Sequence, residues 1–257
     1  MQKLISIDIF ADFGMLKKPD TNQPVYLTFN LLHKPALLGI IGAVIGEKGF
    51  QNFGVLPDYY LKLKDLQVGI QPLNHEKGNY QKTIITYNNS TGLASEETGG
   101  NLMVNEQTLI APAYRCYILL DTENPLHQKI ESNLKNRCSE YLPYLGKNEF
   151  SIWWNEFKEY KYSEFSPKEN FKIDSIYIKD TPIEGNKEVA AFMPFITETG
   201  NTFSFFERLP IGYIEYEPKQ FQYEYRSFAY TDWSLKENYK TPHKLLKTDS
   251  DVTIQVF

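Results

Sequence analysis

The pattern of apolar and small residues is most distinctive at residues 34–46, KPALLGIIGAVIG. Pro35 suits a first helical turn, and leucine, isoleucine and valine then cover the predicted helix almost all round. The glycines at 39, 42 and 46 recur on one helical face. A glycine costs about 1 kcal/mol relative to alanine inside a helix, so we expect close packing against another element to offset it. The pattern therefore predicts a buried helix lying flat on a sheet, and the segment is too short for the roughly 20 residues of a membrane span.

Other segments alternate apolar and polar residues or carry helix signals. Leu4 to Phe10 reads as a strand, and Asn124, as an N-cap before Pro125, predicts a second helix with Leu126, Ile130, Leu134 and Cys138 towards the core. We predict the remaining elements as follows: strands at residues 59–70, 108–120 and 150–157, and a long hairpin at residues 71–107 with a mobile tip near residues 88–101.

This order predicts an α+β fold, a ferredoxin-like βαββαβ domain of the RNA-recognition type with a long β-hairpin, at residues 1–157. The second half contains short aromatic runs between turn signals. The runs predict a smaller antiparallel β domain at residues 158–257, with strands near residues 171–178, 189–196, 203–209 and 221–230.

Charge and cysteine content restrict the function classes. The chain has a formal charge of −5 and two cysteines, Cys116 and Cys138. The acidic excess lies mainly after residue 149, which leaves room for a local basic groove in the first half. The cysteines predict neither a disulfide framework nor a metal site, and the N-terminus lacks a signal-peptide pattern. We therefore expect a cytoplasmic protein with no cofactor and no metal.

The loop at residues 11–24 leads from the first strand back towards the N-terminus of the glycine helix. Free N–H groups at such a terminus bind phosphate, and Lys17, Lys18 and Lys34 are expected to surround this point at the rim of the fold.

Four segments together resemble the Cas-five family of CRISPR-associated proteins, closest to the type I-B branch. They are Lys18-Pro19, the helix at residues 35–46, APAYRCY at residues 111–117 and PYLGKNEF at residues 143–150. The resemblance covers about residues 3–150. The C-terminal part matches only in size and β character.

The resemblance implies a subunit of a type I interference (Cascade) complex that binds and caps the 5′ handle of the guide RNA (crRNA). It implies that the hairpin at residues 71–107 is a thumb inserted between guide nucleotides against the neighbouring backbone subunit. The other implied partners are the large subunit and, indirectly, target DNA, with no membrane. Phosphates need cations and splayed bases need aromatic planes. The RNA-binding residues expected on these grounds are Phe13, Lys17, Lys18, Tyr26, Lys34, Arg115 and Lys147.

An enzymatic alternative remains. A related type I-C subunit cleaves precursor RNA without metal through a tyrosine, a lysine and a histidine, and Tyr26, His33 and Lys34 lie close together in this sequence. Because the I-B resemblance is closer, we expect a non-catalytic subunit and interpret His33 as a residue flanking the helix. A β-rich interaction protein without RNA is a third possibility.

Overall fold

A computed structural model describes residues 1–19, 24–74, 77–89, 102–179, 195–196, 203–237, 239 and 241–257. These residues form a sheet-rich α+β structure in which nearly all strand pairs are antiparallel. The helices of this part are α1 (Lys34–Ile45), α2 (Asp58–Leu63) and α3 (Pro125–Asn136). Its strands are β1 (Gln2–Ala11), β2 (Phe13–Gly14), β3 (Leu16–Lys17), β4 (Val25–Tyr26), β5 (Thr28–Phe29), β6 (Gln67–Pro72), β7 (Lys82–Asn89), β8 (Leu102–Ile110), β9 (Ala113–Asp121), β10 (Ile152–Tyr160), β11 (Tyr162–Glu164), β12 (Tyr177–Ile178), β13 (Phe195–Ile196), β14 (Ser204–Glu217), β15 (Gln220–Thr231), β16 (Ser234–Leu235), β17 (Lys244–Thr248) and β18 (Thr253–Val256).

The central sheet has the order β10-β1-β9-β6, and each neighbouring pair is antiparallel. Residues of β1 alternate between two buried environments, because side chains of a strand point to opposite faces in turn. Ile5, Ile7 and Ile9 share one core cluster with α1 and α3. Leu4 belongs instead to a second cluster with the β17–β18 hairpin. The sheet is therefore covered by helices on one face and in part by strands on the other.

The second half of the chain joins the first core. Leu209 of β14 and Phe228 of β15 are in the same hydrophobic cluster as α1 and β1, and Phe257 is there too. The predicted boundary at residue 157 falls inside β10. The division into two domains stays a prediction.

Strands β7 and β8 form the antiparallel hairpin expected near residues 71–107, paired from Lys82 with Leu109 to Asn89 with Leu102. Its predicted mobile tip lies largely outside the described residues. β8 also pairs with β2 and, in parallel, with β4, so the hairpin is joined at its base to the loop that precedes α1.

Both main helices are confirmed, with Gly46 in a left-handed conformation ending α1 and the Asn124 side chain capping α3. The prediction of strand over residues 59–70 is wrong in its first part, where α2 begins after Pro57 and buries Tyr60 and Leu63 three residues apart. Cys138 is exposed instead of facing the core, because α3 ends at the left-handed Arg137.

Two further predictions need correction. The strand expected at residues 108–120 is interrupted between β8 and β9, where Ala111 has a φ of 47° and precedes Pro112. The glycine face of α1 does not lie on the sheet. A Cβ at Gly42 would meet Tyr59 at the start of α2, 2.6 Å from the Tyr59 Cβ atom, so the close approach is made between two helices.

Candidate nucleic-acid interface

Strand β8 positions the side chains of the candidate site. Phe13 on β2 lies opposite Ile110, Tyr26 on β4 lies beside Glu106, and Tyr87 on β7 faces the same stretch of β8. The loop at residues 143–150 places Lys147 against Glu106 of this strand, on the face that also carries Tyr26 and Tyr87. We call the group formed by Phe13, Lys17, Tyr26, Tyr87, Glu106, Lys147 and Phe150 the hairpin-base cluster.

Lys147 is at the centre of this cluster. Its Nζ atom lies 2.6 Å from the Glu106 carboxylate and 4.6 Å from the centroid of the Tyr87 ring, and Phe150 lies beyond at 6.0 Å. The Tyr87 hydroxyl donates a hydrogen bond to Glu106 at 3.0 Å. Although partial burial lowers the pKa of Lys147, the hydrogen bonds with Glu106 and Tyr87 raise it above its ordinary value. The ammonium group is therefore charged at neutral pH.

The rest of the cluster combines a second cation with exposed aromatic surface. The Lys17 Nζ atom lies 3.6 Å from the centroid of the Tyr26 ring, a close cation–π contact. Phe13 is 40% exposed and its ring centroid is 6.1 Å from that of Phe150. Four of the residues predicted to bind RNA therefore lie in this cluster: Phe13, Lys17, Tyr26 and Lys147.

Lys18 lies beside the cluster but has a different partner. Its ammonium group forms an ion pair with Glu207 of β14 at 3.2 Å. The Glu207 carboxylate also accepts hydrogen bonds from the backbone N–H groups of Asn30 and Leu31, at 3.0–3.1 Å. The N–H groups of the loop before α1 therefore bind a carboxylate of the same chain, that of Glu207.

The predicted phosphate site at the start of α1 is wrong in its geometry. The His33 side chain caps the helix, with Nδ1 accepting from the Ala36 N–H group, and burial lowers the pKa of His33 to about 3. Lys34 is buried and not at the rim, and its Nζ donates to the carbonyl oxygen of Phe257 at 3.1 Å. Burial lowers the pKa of Lys34 to about 8.

Arg115 is in the central sheet, where its Nε and Nη2 atoms donate to the two oxygens of Asp8 at 2.7 and 2.8 Å. This bidentate pair raises the pKa of Arg115 above its ordinary value. The guanidinium group is therefore occupied by a partner of the same sheet, and its role in binding RNA stays a prediction.

Sequence reasoning missed Tyr87, Glu106, Phe150 and Glu207. Phe150 could have been found, because it closes the same segment that supplied Lys147. Nothing near Glu207 in the sequence indicates that it reaches a loop about 176 residues earlier.

The three residues of the enzymatic alternative have separate surroundings. Tyr26 lies under Lys17, the His33 ring contacts Phe29 and Tyr223, and Lys34 reaches Phe257. Within the described ranges, no group of three or more histidine, cysteine or acidic side chains could hold a metal ion. No helix in this part of the chain is long and apolar enough to span a membrane.

No family model and no curated protein matches this chain. Several solved structures similar to it are CRISPR-associated proteins. One is a chain of a CRISPR RNA-guided surveillance complex, 11% identical over 92% of this chain and 91% of that one, with a TM-score of 0.48. Another is a CRISPR protein from Archaeoglobus fulgidus, 11% identical over 99% and 98% of the two chains, with a TM-score of 0.48. A third is described as a Cas protein and is 13% identical with a TM-score of 0.34; the match covers 56% of this chain and 57% of that protein.

Proposed function

We propose that this protein is a non-catalytic subunit of a type I CRISPR interference complex and that it binds the 5′ handle of the guide RNA with the hairpin-base cluster. The observation that carries the proposal is the arrangement of Lys17 and Lys147, each placed over a tyrosine ring in the cluster that contains exposed Phe13, with Lys147 also paired to Glu106 at 2.6 Å. Single-stranded RNA is held by cations that meet its phosphates and by aromatic rings on which its bases stack. Both kinds of group meet at the base of one hairpin.

The strand order supports a ferredoxin-like domain. In a βαββαβ chain whose strands are β1, β6, β9 and β10, the order β10-β1-β9-β6 places the first and third strands in the centre. α1 connects the first strand to the second, and α3 connects the third to the fourth. The resemblance to the Cas-five family implies the same ferredoxin-like domain for this chain.

The hairpin has two different faces, which supports its role as a thumb. One face carries Tyr87 and Glu106 of the hairpin-base cluster. The other carries Ile84 and Met103, which are 59% and 57% exposed. We assign this face to the neighbouring backbone subunit, the contact that the sequence resemblance implies for the thumb.

The surroundings of His33 favour a binding subunit over a nuclease. A general acid or base needs a pKa near the operating pH and access to the substrate. The His33 side chain is buried, and its Nδ1 atom is used as a helix cap. Burial lowers its pKa to about 3, so it is neutral at physiological pH.

Binding of a repeat-derived guide RNA, measured over a range of salt concentrations, tests the proposal. The double variant Lys17→Ala with Lys147→Gln removes two cations, one of them paired with Glu106, and should lower the slope of log affinity against log salt by about 0.7–1.4, at 0.7 per lost phosphate contact. Lys48→Ala with Lys64→Ala removes the same charge from exposed positions outside the cluster and serves as the matched control. Equal loss in both double variants would show attraction by overall charge and would refute the assignment to the cluster.

A further inference from the structure

A groove of about 500 Å³ runs along the outer side of α1. Its floor is formed by Ala36, Gly39 and Ala43, and its walls come from the loop at residues 141–146 and from Tyr59, Tyr213 and Tyr223. The described residues of α1 that are not fully buried are Ala36, Gly39 and Ala43. A helix face that meets only water normally carries charged or polar side chains. This one carries none.

The rim of the groove exposes large apolar side chains. Leu142 is 69% exposed, Phe50 63% and Tyr141 54%. Scattered exposed apolar residues are common, but several around one concave surface are typical of a binding site for another molecule. Packing within this chain does not explain why position 39, on the floor of the groove, is a glycine. A Cβ there would be 3.7 Å from the nearest atoms of Tyr59, an ordinary contact, although glycine disfavours a helix relative to alanine.

The charges at the two ends of the groove indicate what it holds. Lys17 lies at the end where α1 begins, since β3 pairs with β5 and β5 leads into His33. Glu47 lies two residues beyond the last residue of α1 at the other end, where one of its carboxylate oxygens pairs with Lys62 at 2.6 Å. Between them, the described lining has no charged side chain, since His33 is neutral. A groove for nucleic acid would need cations along its length.

We infer that this groove docks an amphipathic helix of another protein subunit, lying antiparallel to α1. An antiparallel helix would place the positive end of its dipole beside the Glu47 carboxylate, which is favourable. The dipole of α1 favours the same direction. The small residues of the floor let two helix axes approach closely, and apolar side chains spaced three or four residues apart would fill the groove. The inference rests on the proposed function, because it seeks the helix among the subunits of the complex.

Site-specific crosslinking identifies the occupant. Benzoylphenylalanine replaces Leu142 in the chain, which is co-expressed with the guide RNA and the other subunits and then irradiated. The expected result is a set of crosslinks to one subunit, at residues spaced three or four apart on the apolar side of one helix. Crosslinks only to RNA, only to a second copy of this chain, or to no partner would each overturn the inference.

Substitutions provide a second measurement in the same complex. Ala43→Glu and Leu142→Asp should each reduce the amount of the crosslinked subunit that copurifies by about tenfold, the effect of a central interface residue. Leu61→Asp changes a 48% exposed side chain on α2, outside the groove, and should have little effect. Leu142 is exposed, so its variant should fold, and thermal unfolding checks both. Normal assembly with folded variants would overturn the inference. Guide RNA binding by the isolated protein reports separately on the hairpin-base cluster.

Discussion

Alanine should have opposite effects at Gly39 and Gly42, although both residues are inside α1 and only three positions apart. The change removes the intrinsic cost of glycine in a helix at both positions, about 1 kcal/mol each. At Gly39 the new Cβ would make ordinary contacts of 3.7–3.8 Å with the Tyr59 ring, so we expect the protein to become more stable by up to about 1 kcal/mol.

At Gly42 the same methyl group would lie 2.6 Å from Cβ and 3.0 Å from Cγ of Tyr59. The Cβ atom of Tyr59 is bonded directly to the backbone and no side-chain rotation moves it, so the start of α2 must shift. Overpacking of this kind costs about 1–3 kcal/mol, which equals or exceeds the gain from helix propensity. The expected difference between the two variants is therefore about 1–3 kcal/mol in the free energy of unfolding.

Urea denaturation of both variants and the parent protein measures this difference. Thermal unfolding should show it as well, at about 2–4 °C per kcal/mol for a chain of this size. If Gly42→Ala stabilised the protein as much as Gly39→Ala, the close contact between α1 and α2 described above would not exist.

Three other changes have equally direct outcomes. The pKa of His33 is about 3 in the folded protein and 6.5 ordinarily, so the unfolded state binds more protons between these values, and stability falls as the pH is lowered from 6.5 to 3. His33→Asn keeps an acceptor for the helix cap and should make this loss of stability shallower between pH 6.5 and 5, as measured by urea titrations. The pKa of Lys34 is about 8 against 10.5, so stability should rise with pH between these values, and Lys34→Met should abolish that rise while leaving guide RNA binding unchanged. Ile84→Asp with Met103→Asp should weaken joining to the backbone subunit in pull-down assays without lowering the melting temperature; unimpaired joining would contradict the thumb assignment.

Local patterns were sufficient to predict the two main helices and the central strands. Asn124 before Pro125, and the dense apolar run after Pro35, are signals that act within one or two helical turns. Helix α2 was missed because tyrosine, leucine and lysine alternate at residues 59–64 and also suit a strand. Its distinguishing features are Pro57 and Asp58 at the start, together with the three-residue spacing of its buried side chains.

The candidate site was predictable only where its residues carry their own chemistry. Lysines and aromatic residues in loops could be named from the sequence, and Phe13, Lys17, Tyr26 and Lys147 lie together in the structure. Whether a lysine is free to meet a phosphate depends on distant partners. Lys34 is buried and donates to the main-chain oxygen of Phe257, a pairing across 223 positions that no local pattern records.

The position of β1 in the middle of the sheet has a consequence for synthesis of the protein. β1 pairs on one side with β9 and on the other with β10, whose residues follow it by more than a hundred positions. At about 5–20 residues per second, roughly 5–22 s pass between translation of β1 and translation of β9, the first of its two partners to be made. During that interval the apolar side chains of Leu4, Ile5, Ile7 and Ile9 have no strand to pair with. The nascent chain should therefore depend on chaperones at the ribosome, and its folding should be slow because its contacts are so far apart in sequence.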